Sequence, residues 1–321
     1  MALWKLCPAL ATGCTIVIKP AEQTPLTALR LGELIAEVGI PPGVVNIVTG
    51  MGETAGAALT SHPGVDKIAF TGSTDVGKII ARAAAENVTR LSLELGGKSP
   101  VIVLPDADVD LTIRGAVNGI FFNHGQVCTA GSRLYVHKKL YADVVDGVAE
   151  VARHIKLGPG LAPDSQMGPL VSKEQQDRVT SFIESGIKEG ARVVAGGPGN
   201  DMAGYFVNPT VLGETRPEMK VVREEIFGPV LSCASFDDLD EVVRQANDTR
   251  YGLAASIFSN NLTAVHRLIP RLKAGTIWVN HHNLLDPAVP FGGYKQSGMG
   301  REMAKMVIDM YTENKSVFIM M

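Results

Sequence analysis

The sequence predicts an α/β protein built on parallel sheets and divided into two domains. Three observations lead there. Short β-branched runs alternate with helical periodicities through the first part of the chain, the strands end in Gly-bearing turns, and a second strand-and-helix series begins near Leu95. Repeated strand–helix–strand order requires parallel strands with helices on both faces.

Gly13 to Ile18 is apolar on both faces, which predicts a buried strand. Thr24 and Pro25 read as an N-cap followed by proline at the first helical position. Leu31, Leu34, Ile35 and Val38 continue at helical spacing, and Gly39 with Pro41 and Pro42 closes that helix. Val44 to Thr49 is the next strand, followed by Gly50-Met51-Gly52 and a helix from Glu53 to Ser61. Lys67 to Thr71 is a third strand, ended by Gly72-Ser73-Thr74, and Val76, Ile79, Ile80 and Ala83 mark its helix. Leu91, Leu93 and Leu95 alternate with Ser92 and Glu94 in a fourth strand, stopped by Gly96-Gly97. Beyond it come a helix near Asp108 to Phe122, a polar loop around Cys128 and a strand from Arg133 to His137. Further strands are expected at Ala191–Ala195, Val230–Ser235, Ala254–Phe258 and Gly275–Asn280, with a helix through Leu239, Val242, Val243 and Ala246. The N-terminal run is interrupted by Pro8 and reads as flowing directly into the first strand rather than as an export signal.

Composition narrows the function. The chain has 321 residues, 45% hydrophobic and 20% charged, with 30 Lys plus Arg against 33 Asp plus Glu. The net charge of −3 offers no basic excess for nucleic acid or an anionic membrane, and no run is long enough to span a bilayer. Cys7, Cys14, Cys128 and Cys233 form no C-x-x-C pair, so neither a disulfide framework nor a metal site is expected. Reduced thiols fit a cytoplasmic protein.

In open parallel sheets, ligands bind beyond the carboxyl ends of the strands. Four such ends carry unusual residues: Lys19 to Glu22, Gly50 to Gly52, Gly72 to Thr74, and Glu94 to Gly97. Each alone is an ordinary turn, but four at one sheet edge point to a nucleotide. Cys128 stands apart from the other cysteines because Gly125, Gln126, Thr129, Gly131 and Ser132 flank it. Such a loop can expose a thiol and aim backbone N–H groups at an oxyanion. His124 is four residues away, a spacing that does not place its ring on the thiol. Glu94 reads equally as a solvated strand-end carboxylate and as a general base.

Six motifs in order then resemble the aldehyde dehydrogenase superfamily. They are Ile18-Lys19-Pro20-Ala21-Glu22-Gln23-Thr24-Pro25, Phe70-Thr71-Gly72-Ser73-Thr74, Leu93-Glu94-Leu95-Gly96-Gly97-Lys98 and Gly125-Gln126-Val127-Cys128. Glu224-Glu225-Ile226-Phe227-Gly228-Pro229-Val230 and Pro290-Phe291-Gly292-Gly293-Tyr294-Lys295-Gln296-Ser297-Gly298 complete the set. The resemblance implies a partial Rossmann-type nucleotide-binding domain over 1–95, an α/β catalytic domain over 96–305, and an oligomerisation segment over 306–321. It implies Cys128 as nucleophile, Glu94 as general base, Lys5 with Glu302 as a proton relay, and Asn280 in support. Lys19 and Glu22 would hold the adenosine ribose, Gly52, Gly56, Gly72 and Ser73 the adenine and pyrophosphate side, and Glu225 and Phe227 the nicotinamide half. NAD is the expected cofactor because a carboxylate at Glu22 disfavours a 2′-phosphate, although Lys19 leaves NADP possible.

The substrate would be an aldehyde. The stretches Phe121–His137 and Trp278–Asp286 are most similar to the phenylacetaldehyde dehydrogenase branch, with the betaine-aldehyde and aliphatic branches close. Family members carry a segment before the position of Met1 that supplies the first sheet strand and an Asn donor to the oxyanion, and they assemble as dimers or tetramers. Relative to them this chain is expected to be N-terminally truncated. Three activities follow as expectations: a dehydrogenase, a nucleotide-binding or interaction subunit without turnover, and a cofactor-independent thiol esterase.

Overall fold

The computed structural model describes residues 1–321. Twelve strands alternate with helices. The first six are β1 (Ile16–Ile18), β2 (Val45–Ile47), β3 (Lys67–Thr71), β4 (Arg90–Glu94), β5 (Pro100–Val103) and β6 (Arg133–His137). The rest are β7 (Arg192–Ala195), β8 (Thr210–Gly213), β9 (Val230–Phe236), β10 (Ala254–Phe258), β11 (Thr276–Val279) and β12 (Gly298–Met299). No helix is long and apolar enough to cross a membrane.

The chain divides into two compact units. One comprises Met1–Leu95, Asp286–Gly292 and Gly298–Met321; the other comprises Gly96–Leu285 and Gly293–Ser297. The sequence reading placed everything from 96 to 305 in one domain, and the structure corrects that. Gly298 and Met299 pair antiparallel with Glu94 and Leu93, and Phe291 and Glu302 exchange backbone hydrogen bonds of 2.8 Å. Backbone pairing therefore draws the returning segment into the first unit.

In that first unit the strands form two separate pieces, the parallel pair β1-β2 and the three-stranded β12-β4-β3. The four strand ends expected at one edge are thus shared between two sheets. β1 is also less covered than its composition suggests, with Val17 48% exposed. The expected cap at Thr24 is absent: the helix is Leu26–Glu37, Pro25 already has helical angles, and no side chain caps it. Ser73 does cap its helix, Thr74–Glu86, accepting from the Val76 N–H at 3.2 Å. The N-terminal run is not an approach to a strand but a helix, Ala2–Ala11, with Leu6, Pro8 and Ala9 buried. Pro8 removes one backbone donor from it, yet the helix continues, and at its C-terminal end the Thr12 hydroxyl donates to the carbonyls of Pro8 and Ala9.

The second unit is built on a seven-stranded sheet in the order β11-β10-β5-β6-β9-β8-β7, parallel throughout except for the β7-β8 pair. Its central strands are buried on both faces. Val101 and Val103 pack with Leu134 and Val136 against helices Val109–Phe121 and Tyr141–His154, whereas Ile102 and Leu104 face the helix Leu239–Asn247. The period-two alternation assigns each residue to a helical layer, as expected for a sheet covered twice. β5, β8 and the polar helix Lys173–Lys188, capped by Ser172, are not predicted from the sequence.

The β12-β4 contact leaves no room for a side chain at its first residue. A Cβ on Gly298 would lie 2.0 Å from the Leu93 carbonyl oxygen, and φ there is +144°. Gly298→Ala is expected to destabilise the protein by about 1–3 kcal/mol; a urea denaturation midpoint equal to wild type would contradict that close approach.

Candidate active site

The first unit gathers a cluster of buried ionisable groups. Glu94, at the end of β4, is only 4% exposed, and its Oε2 has no hydrogen-bond partner. This removes the solvated strand-end alternative. The covering comes from the returning segment: Gly292 approaches so closely that a Cβ there would lie 2.9 Å from Glu94 Oε1. Burial pushes the Glu94 carboxyl up to about 8, with Glu302 adding to the rise and Lys5 and Arg301 opposing it.

Lys5, on the N-terminal helix, forms an ion pair of 2.5 Å with Glu302 and donates to the Thr71 hydroxyl at 2.6 Å. Trp4 beside it meets the Phe291 ring edge-on at 5.3 Å, which fixes the helix against the returning segment. Lys67 and Tyr311 are further members that sequence reasoning missed. Lys67 donates to the buried Ser92 hydroxyl at 2.8 Å and lies 4.9 Å from the centre of the Tyr311 ring, and burial lowers its ammonium to about 8. A lone Lys at a strand start and a Tyr near the C-terminus carry no recognisable spacing.

Along the other edge, Lys19 ties two strand ends together. Its Nζ donates to the Pro20 carbonyl at 2.7 Å and the Gly50 carbonyl at 3.0 Å, and reaches Glu22 at 3.3 Å. Glu22's own backbone N–H, then Lys19, hold its carboxyl below the usual range, so it stands ionised. Gly52 to Gly56 form a π-helical turn ahead of the short helix Ala57–Ser61, with Lys19 methylenes against Gly56 and open space at Gly52. Gly72 donates its N–H to the Glu94 carbonyl at 3.0 Å, which links this edge to the buried carboxylate.

In the second unit the helix Val109–Phe121 runs into Asn123, His124 and Gly125, which adopt left-handed angles in succession, with φ of 47°, 61° and 67°. Gly125 is required there, because a Cβ would sit 2.2 Å from the Gly228 carbonyl oxygen. His124 forms part of this turn, its ring against Gly168 and its Nδ1 without a partner. Cys128 follows, half-buried and outside any disulfide. The Gly96-Gly97 turn backs onto it: a Cβ on Gly97 would meet the Cys128 carbonyl oxygen at 2.3 Å, and one on Gly96 would meet Glu225 Oε2 at 2.1 Å.

Glu225 accepts from the Gly97 N–H at 3.0 Å, and burial raises its carboxyl against the opposing effects of that donor and Lys98. Phe227 is 38% exposed and held at φ 59°, a strained angle for an aromatic residue. The helix Lys173–Lys188 maintains it. Gln175 donates to the carbonyls of Ile226 and Phe227 at 3.1 and 2.8 Å, and Arg178 donates to the Glu225 carbonyl at 2.9 Å. A cavity lined by Gly97, Val127, Ala130, Glu225, Phe227 and Gly228 lies beneath the Cys128 loop. Asn280, also left-handed at φ 55°, has both ends of its amide on Ser259, accepting from its N–H at 2.9 Å and donating to its carbonyl at 3.0 Å.

A half-buried loop thiol can serve as a nucleophile, and a buried carboxyl with a raised pKa can serve as a base. A sequence profile described as the aldehyde dehydrogenase family matches residues 1–317, and the chain belongs to that family. It is 56% identical over 319 residues to the DhaS protein of Bacillus subtilis and 52% identical over 321 residues to the phenylacetaldehyde dehydrogenase of Pseudomonas fluorescens. Each alignment covers 99% of this chain and 64% of the relative, so the chain spans about 64% of the length of these curated relatives. Among solved structures, the NAD+ complex of the Bacillus cereus aldehyde dehydrogenase superimposes with a TM-score of 0.98 at 53% identity, over 99% of this chain and 65% of that one.

The raised Glu94 carboxyl has a consequence for stability. Between about pH 4.5 and 8 the folded protein retains a proton that the unfolded chain releases, so this group makes stability fall as pH rises through that window. Glu94→Gln should therefore match wild type in thermal unfolding near pH 4.5 and exceed it at pH 9; a constant difference across the range would exclude a buried, protonated carboxyl.

Proposed function

We propose that the chain carries the chemistry of an NAD-dependent aldehyde dehydrogenase, with Cys128 as nucleophile and Glu94 as general base. The observation that carries this reading is the Glu94 carboxylate, kept dry with one oxygen unpartnered and titrating near 8. A base poised near the working pH removes a proton from water most effectively. Cys128 sits on a short loop braced from behind by glycine backbone, which suits a thiol that must meet a carbonyl carbon at a fixed angle.

In this mechanism the Cys128 sulfur bonds to the aldehyde carbon, and the resulting oxyanion is stabilised by the Cys128 backbone N–H. NAD, when bound, supplies the acceptor for the hydride that leaves this carbon. The acyl group then remains on Cys128 as a thioester. Glu94 takes a proton from water as the water attacks that thioester, and the Cys128 thiolate leaves with the acid released. Lys5 and Glu302, as an ion pair beside Glu94, would pass the proton outward.

The residues fit the dinucleotide. An ionised Glu22 beside Lys19 offers acceptors to a ribose diol and repels a 2′-phosphate, which favours NAD over NADP. Gly52 has open space where a Cβ would project, so a ligand can approach its backbone, and Gly56, Gly72 and Ser73 would line the adenine and pyrophosphate side. Ser73 would do so through its backbone, because its hydroxyl already caps a helix. Glu225 and Phe227 would place the nicotinamide half, and Asn280 would act by stiffening Ser259.

An aromatic aldehyde such as phenylacetaldehyde is the proposed substrate. Phe122, Leu284 and Leu285 are exposed at 59, 62 and 45% in the two stretches that most resemble that branch, and the Pseudomonas relative is named for the same compound. The exposed apolar run Val317 to Met321 favours self-association as a dimer or tetramer, and four thiols suit the cytoplasm. A second reading, nucleotide binding without turnover, draws support from the Lys19–Glu22 pair being in place while the Glu94 carboxyl stays protonated below about pH 8.

One experiment separates these readings: NADH formation from phenylacetaldehyde, with NAD binding measured in parallel. Wild type should form NADH with a rate rising through about pH 8, Cys128→Ala should form none, and Glu94→Gln should be slower by about 10²–10⁴-fold. Saturable NAD binding without NADH would favour the second reading, and ester hydrolysis lost in Cys128→Ala without NADH would point to an esterase.

A further inference from the structure

His282 is 0% exposed, among the most deeply buried polar residues of the second unit, and it lies behind the loop that carries Cys128. It stands in the loop after β11, and its ring stacks at a tilt on Trp278 with centroids 4.8 Å apart. Gly119 and Gly131 clear the space for it; Cβ atoms there would come within 3.1 and 3.0 Å of the ring.

Both ring nitrogens are engaged. Nε2 lies 2.9 Å from the Thr129 carbonyl oxygen, and Nδ1 lies 2.6 Å from the Ser256 hydroxyl of β10. A carbonyl only accepts, so Nε2 carries the proton. Burial depresses the imidazole to about 4, so the ring is neutral and Nδ1 accepts from Ser256. Thr129 is the residue after Cys128, and its hydroxyl donates to the Asn283 side chain at 2.8 Å. The adjacent pair His282 and Asn283 thus holds both the carbonyl and the side chain of Thr129. Gly131 continues the anchoring with a 2.9 Å hydrogen bond to the Gly119 carbonyl.

We propose that His282, oriented by Ser256, is a positioning residue for the Cys128 thiol: its Nε2–H fixes the Thr129 carbonyl and thereby keeps the cysteine loop raised over the cavity beneath it. The proposal rests on the reading of Cys128 as the reacting group, but it concerns how the thiol is presented and not whether turnover occurs. The cavity gives the claim its direction. Val127 and Ala130 flank Cys128 and, with Gly97 and Gly228, line a space that holds about one water, so a loop freed of its anchor can settle into it by a small shift and cover the half-buried thiol. Packing alone would depend on the volume of the ring, whereas anchoring depends on the donor.

The test is alkylation of the full chain with iodoacetamide, followed cysteine by cysteine by peptide mass spectrometry. Exposed Cys7 is the internal reference, and buried Cys233 reports unfolding. His282→Phe keeps a ring and removes the donor; His282→Gln keeps a donor at the Nε2 position and removes the ring. Cys128 labelling relative to Cys7 should fall at least about fivefold in His282→Phe and return to within about twofold of wild type in His282→Gln. The reverse order, or an unchanged or faster rate in His282→Phe, would overturn the proposal. If Cys233 becomes labelled in His282→Phe, that loss is unfolding, and Ser256→Ala decides instead. A slower Cys128 with Cys233 protected supports the orienting role, and a wild-type ratio overturns it. Because no cofactor or aldehyde is present, failure here is distinct from failure of the dehydrogenase assay.

Discussion

The second unit depends on two residues that have no side chains. Gly96 and Gly97 lie where a Cβ would overlap the Glu225 carboxylate on one side and the Cys128 carbonyl on the other. The Gly97 N–H then bonds Glu225, so one turn braces both the loop thiol and the carboxylate. Nothing larger can occupy these positions without moving one of those groups, and interiors at crystal-like density have little slack to absorb the shift. The geometry of the candidate site is therefore set by backbone approach before any side-chain chemistry begins.

The side chains then work in tiers. Glu225 and Phe227 are held by Gln175 and Arg178 through main-chain carbonyls, so their placement rests on a helix distant in sequence. Phe227 tolerates a left-handed angle because its carbonyl is clamped, in keeping with strain being over-determined by its surroundings. In the first unit the logic is electrostatic. Glu94 and Glu302 would repel each other in a dry setting, and the Lys5 ion pair offsets one of the two charges, leaving the other carboxyl free to take up and release a proton.

Much of this was legible in the sequence, and the remainder was hidden for identifiable reasons. The stretches Arg133–His137, with Tyr135 and Val136, and Ala254–Phe258, with Ile257 and Phe258, declared themselves as strands. β5 did not, because it is four residues long and opens on Pro100. The helix Lys173–Lys188 carries an apolar period at Val179, Phe182, Ile183 and Ile187, but its first turns, Lys-Glu-Gln-Gln-Asp-Arg, are polar, so the roles of Gln175 and Arg178 could not be read. Glu94 was ambiguous because Leu91-Ser92-Leu93-Glu94 alternates as a half-exposed strand does. In the fold the face that bears Ser92 and Glu94 is covered too, leaving them 2 and 4% exposed, by residues about 200 positions later. Local pattern cannot report a partner that far along the chain.

That distant partnership bears on how the protein is made. The second unit is nearly contiguous, from Gly96 to Leu285, and can acquire its sheet while synthesis proceeds. The first unit starts earlier in the chain but cannot close its three-stranded piece until Gly298 and Met299 emerge to pair with β4. The unit whose strands come earlier in this chain is thus completed after the later one. Until then the Leu93 edge is unpaired and the Glu94 carboxyl is open to water, so the candidate base would lose its ordinary acidity only once Gly292 and Gly298 have folded back over it.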